Sequence, residues 1–143
     1  MRWLSFPFLL VAAHVSANVV WIGALLAVAT VGAGAAGSTA PTEAGALARR
    51  VYTRLAVPAF AVSFTAGLAR IALDPLAYAH MPWMHAKLTF AVAVIGLHHV
   101  IGARVGRVAA GKTGAARGLG PLALATFLCA TGAVMLGVAK SLP

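Results

Sequence analysis

His14, His98 and His99 lie deep inside long apolar runs, and few other side chains in this 143-residue chain could do chemistry. An ionisable group inside an apolar segment is costly, so each asks for a functional reason. Carboxylates do not supply one, because Glu43 and Asp74 are the only two and both fall in or beside loops. That excludes paired-carboxylate acid–base catalysis, a carboxylate-bound di-iron centre and carboxylate proton relays. The single cysteine, Cys129, lies in the run Leu122–Val138, which excludes an intrachain disulfide, a CxxC redox motif and a cysteine metal site. Imidazole is what remains.

At about 100° per residue, Asn18 and Trp21 share a helix face with His14. On a later helix Lys87 and His98 lie about 20° apart in projection, and His85 and His99 about 40° apart. Counting about 1.5 Å per residue, His14 stands about 16 Å from the outer end of its helix and His99 about 22 Å from that of its own. Both therefore fall towards the middle of a bilayer, near enough in depth to share one planar cofactor. Two neutral imidazoles in a dry helix bundle suit axial ligation of a haem iron, with His14 as one ligand, His99 as the second and His98 as its rival. The alternative is that these histidines only hydrogen-bond between helices. A porphyrin also carries carboxylates. Lys87 and Lys140 could meet them at the outer end and Arg50 and Arg104 at the inner, although topology and lipid contact explain the arginines equally well. Trp21 and Trp83 could stack on a macrocycle, or serve as packing and interfacial aromatics. The segment His80-Met81-Pro82-Trp83-Met84-His85 is rich in soft and borderline donors that suit copper.

Lipid must surround the elements that position these groups. The chain is 62% hydrophobic and 9% charged, with a mean hydropathy of +0.94, against about 45–50% apolar and 25% charged residues in ordinary soluble domains. Four apolar segments, at about 3–36, 51–73, 84–105 and 119–139, each reach the roughly 20 residues needed to cross a bilayer. None alternates as a membrane strand would. The expected fold is all-α, a single integral membrane domain over 1–143 built as a four-helix transmembrane bundle. Gly37, Ser38, Pro41, Thr42 and Gly45 mark the first loop, Asp74-Pro75 the end of the second helix, and Gly106, Gly111, Gly114 and Gly118 the third loop. The N-terminus resembles a secretory signal, with Val15-Ser16-Ala17 as its cleavage site. The apolar run continues through Val19–Val31, however, which favours a retained helix.

Arg49, Arg50 and Arg54 flank the first loop and Arg104, Arg107, Lys112 and Arg117 the third, whereas the second, between Asp74 and Trp83, has no Lys or Arg. By the positive-inside rule both termini face away from the cytoplasm. The net charge of +9 follows from this bias and from attraction to anionic headgroups, with no nucleic acid required.

The stretch Trp83-Met84-His85-Ala86-Lys87-Leu88-Thr89-Phe90, followed by His99 and Arg104, resembles the HemJ-type protoporphyrinogen IX oxidases, small membrane proteins related to the CopD copper-resistance group. Ala13-His14 with Val19-Val20-Trp21 looks like that family's first-helix motif. Arg50-Val51-Tyr52 with Pro58 looks like its second-helix motif, and Lys140-Ser141-Leu142-Pro143 like its C-terminus. The matches keep the family's order along nearly the whole chain, with His98 in place of a more usual aromatic residue. The resemblance implies a haem b-containing oxidoreductase of the bacterial inner membrane that oxidises protoporphyrinogen IX to protoporphyrin IX, the penultimate step of haem synthesis. It implies His14 as haem ligand and matches His99, Lys87, Arg104 and Lys140 to the family's histidine and basic positions. Tyr52 and His85 are candidates for proton transfer. Expected partners are the porphyrinogen, a quinone or other respiratory-chain electron acceptor, the lipid bilayer and further copies of the chain. The alternatives are a CopD-like copper binder or transporter using His80, Met81, Met84 and His85, and a structural or assembly protein without a redox centre.

Overall fold

The computed structural model describes residues 5–139, and every long element among them is helical. Helix α1 (Phe6–Gly34) runs on through a 3-10 turn to Gly37. Helix α2 (Pro41–Val51) passes through a π-helical turn (Tyr52–Ala56) into α3 (Val57–Ala72). A short α4 (Pro75–Ala79) leads to α5 (Pro82–Ala109), and a 3-10 turn (Thr113–Ala116) leads to α6 (Leu119–Ala139). Four of the resulting helical stretches, of 32, 32, 28 and 26 residues, are long and apolar enough to cross a membrane.

The second span begins at Pro41 rather than Val51. Proline without its N–H suits a first helical position, Glu43 stands in the first turn, and Arg49 and Arg50 stand in the last turn of α2, each sign opposite the helix dipole. Pro41, Thr42 and Gly45 are therefore helical instead of loop. Gly45 serves packing: a Cβ there would come within 2.7 Å of the backbone nitrogen of Ala109, so α2 and α5 meet backbone to backbone. The third helix likewise reaches from Pro82 to Ala109 and takes in Gly106. The turns that follow it rest on Gly111 and Gly118, whose φ values of 83° and 85° suit a residue without a side chain. Asp74-Pro75 ends the second span as expected, with the Asp74 carboxylate accepting from the N–H of Ala77 at 3.2 Å.

Pro58 accounts for the π turn. A proline inside a helix cannot donate to the carbonyl four residues back, and its ring collides with that carbonyl. The ladder slips by one residue ahead of it, and the N–H of Val57 bonds to the carbonyl of Tyr52.

Helix α1 is the axis of the bundle. It packs along α3 on one side and α6 on another, while α5 packs along α6 and against α2. The fully buried side chains Leu25, Val28, Ile101, Val105 and Leu119 gather in the half of the bundle that carries the basic loops. The other half is looser. No described residue of α1 before Ala17 is buried, and α6 buries only Leu119 and Thr126 among its described side chains. The most apolar stretch of that last span is only 6% buried, so most of its apolar surface is left uncovered by the rest of the chain. There the second and third spans also diverge: α2 lies against α5, whereas α3 leans on α1 and meets α5 through the ring of Phe60.

Candidate functional site

Two polar clusters stand inside the bundle. The first joins α1 to α3. His14 Nδ1 lies 2.8 Å from the carbonyl oxygen of Ser63, and its Nε2 lies 3.0 Å from the amide nitrogen of Asn18, one turn further along α1. The Ser63 hydroxyl donates to Asn18 Oδ1 at 2.8 Å. One proton arrangement satisfies all three contacts: Nδ1 carries the hydrogen and donates to the carbonyl, and Nε2 accepts from Asn18. Gly67 makes room for the ring, since a Cβ there would lie 2.8 Å from His14 Nδ1.

The second cluster is deeper and more tightly packed. His98 is 1% exposed. The Trp21 indole N–H donates to its Nδ1 at 3.1 Å, which leaves the hydrogen of a neutral ring on Nε2, facing the Tyr52 hydroxyl oxygen at 3.1 Å. The Tyr52 ring stacks on the imidazole with centroids 4.9 Å apart and lies over Gly102, where a Cβ would come within 2.2 Å of it. The Arg49 guanidinium sits 5.4 Å from the centroid of the same phenol ring and donates to the Gly102 carbonyl at 3.3 Å. Tyr52 is the first residue of the π turn, so the slip forced by Pro58 helps to set the angle at which its hydroxyl meets His98.

His99 belongs to neither network. It is exposed, and among the described residues none hydrogen-bonds to its ring. It packs edge-on against Phe60 at 6.1 Å and against His98 at 5.1 Å. Phe60, Ser63 and Gly67 lie on one face of α3 by helical spacing, so His14 from α1 and His99 from α5 approach the same face of α3. They do not lie at one depth. The Trp21–His98 contact aligns the parallel helices α1 and α5, which puts His14 seven residues, about 10 Å, from that level on the side away from the basic loops.

The remaining expected residues disperse. Lys87 reaches along α6 beside Gly137, and Trp83 lines a cavity of about 310 Å³ with Arg70, Asp74 and Tyr78 at the end of the bundle away from the basic loops. His85 gives its Nε2–H to the Ala79 carbonyl at 2.8 Å, outside the bundle. In the segment that would suit copper, His80 and His85 are exposed, Met81 is half-buried and Met84 is buried. Among the described residues no group of three or more His, Cys, Asp or Glu side chains could hold a metal ion. Arg50 is exposed on α2, Arg104 turns towards the loop before α6, and Lys140 lies outside the described residues. Sequence reasoning passed over Ser63, Gly67, Gly102 and Arg49. A serine in mid-span and a glycine one turn beyond His98 are the signals that would have found the first and third.

Both clusters can hold and orient protons, and the first leaves an imidazole nitrogen faced only by a side-chain amide. Comparisons with family models, with curated proteins and with solved structures give no match to this chain.

Proposed function

We propose that this chain is a haem b oxidoreductase of the inner membrane that oxidises protoporphyrinogen IX, with both termini outside the cytoplasm. The observation that carries the reading is the setting of His14. A histidine that binds a metal through one ring nitrogen characteristically gives the hydrogen of the other to a carbonyl or carboxylate, which fixes tautomer and ring plane. Ser63 supplies that carbonyl to His14 Nδ1. Nε2 is then opposed only by Asn18, and rotation of that amide would withdraw the contact. His99 is the second imidazole of this reading, unencumbered and beside the same face of α3, and the difference in depth of about 10 Å has to be closed for both rings to serve one iron. Nitrogen donors without thiolate or carboxylate suit haem iron better than a hard cation.

One-electron redox chemistry is what haem b supplies when bound, with a quinone or other acceptor downstream. The chain's own residues divide the rest. Asn18 and Ser63 orient His14. His98, with both nitrogens engaged, is no ligand in this reading: its Nε2–H and the Tyr52 hydroxyl form a two-member proton path that runs towards the basic half. Lys87 offers a cation to a carboxylate in the outer half.

The visible spectrum of the purified protein is the test. A Soret band that disappears in His14→Ala, with helicity by circular dichroism unchanged, is the expected result; a colourless wild-type protein from haem-replete cells overturns the reading. Rescue of a strain lacking porphyrinogen oxidation then tests the substrate.

A further inference from the structure

The basic end of the bundle contains a concavity that the redox reading does not use. It has a volume of about 600 Å³ and is lined by Arg104, Arg107 and Lys112 together with Gly111, Thr113 and Gly114. The loop around it is held in place. The N–H of Lys112 bonds to the Arg107 carbonyl at 2.9 Å and that of Ala115 to the Lys112 carbonyl at 3.0 Å. Ala116, 2% exposed, plugs the loop against Val108 and Ala35. Arg104 donates to the Arg117 carbonyl and lies against Gly118, where a Cβ would come within 3.2 Å of its guanidinium.

Three cations thus share one preformed hollow, and among the described residues no carboxylate pairs with any of them. Like charges held together repel unless an anion joins them. The two guanidinium groups are planar forks matched to an oxyanion, and the ammonium adds a point charge.

We propose that this hollow binds a phosphate group, carried by an anionic phospholipid headgroup or free in solution. Arg104 is the one cation it shares with the porphyrin reading, and neither Arg107 nor Lys112, the pair that the test removes, belongs to that reading.

Native mass spectrometry of the detergent-purified full chain tests it, using phosphatidylglycerol and phosphatidylcholine of equal chain length. Preferential retention of phosphatidylglycerol is expected. Removing Arg107 and Lys112 together (Arg107→Ala with Lys112→Ala) should cost about 5-fold in affinity per cation, while Arg54→Ala with Arg117→Ala, an equal change in charge at side chains that do not line the hollow, should leave retention intact. Thermal stabilisation by inorganic phosphate that the first pair abolishes and the second preserves, without any lipid preference, assigns the site to free phosphate. Absence of both effects, or equal losses in the two pairs, overturns the proposal. Both pairs are exposed, and circular dichroism checks that each variant keeps its helicity.

Discussion

The indole nitrogen of Trp21 and Nδ1 of His98 lie 3.1 Å apart across the bundle, although 77 positions separate them in sequence. Because the indole can only donate, the contact decides which imidazole nitrogen keeps its hydrogen. It thereby separates two adjacent histidines, one committed to the core and one free to meet a ligand.

His98→Ala should therefore destabilise the protein by about 3 kcal/mol, since it strands a buried indole N–H and leaves a void. His99→Ala, at an exposed position, should change stability by less than about 0.5 kcal/mol while altering the Soret band. Thermal unfolding in detergent, read beside the visible spectrum, separates the two; equal losses of stability would contradict this assignment of roles.

Gly102→Ala should push the Tyr52 ring off α5 and cost about 1–3 kcal/mol. In a Tyr52→Ala background the same substitution meets no ring, so most of that cost should vanish, giving a coupling energy of similar size. A double-mutant cycle with additive effects would show that the two residues do not press on each other.

Gly67→Ala would place a methyl group 2.8 Å from His14 Nδ1, displacing the ring from the Ser63 carbonyl. Haem retained per protein should fall while helicity holds. Gly23→Ala, with nothing within 4 Å of the new Cβ, serves as the control and should stabilise by about 0.5–1 kcal/mol through helix propensity. Undiminished haem in Gly67→Ala would mean that His14 does not hold it.

Pro58→Ala removes the cause of the π turn. If the ladder regains its regular register, Tyr52 turns by about 100° relative to α3 and leaves His98. Substrate oxidation should drop while the melting temperature stays level or rises. Unchanged oxidation with a lower melting temperature would mean that packing, rather than Pro58, holds the turn.

The spans were legible because hydrophobic length is a local property, readable without knowing any neighbour. The start of the second span escaped because Pro41–Val51 is amphipathic and charged, and reads as loop by hydropathy alone. Within the site, projection on a single helix grouped Trp21 with His14, but angle says nothing of which partner a side chain reaches. Trp21 crosses to His98 on α5, and only Asn18 stays with His14. Tyr52 was found through a motif, yet its hydroxyl meets His98 at an angle that depends on a slip in the ladder that no residue count reveals. Ser63 and the two glycines matter for the space and carbonyl they give other helices, and such roles exist only once the chain is packed.

With the four spans set in a bilayer, the gap in contact between α3 and α5 would face acyl chains. His99 stands at its threshold, next to Phe60. A hydrophobic solute diffusing in the plane of the bilayer could reach that imidazole without crossing either headgroup layer, so the frequency of encounter would scale with its concentration in the lipid rather than in water.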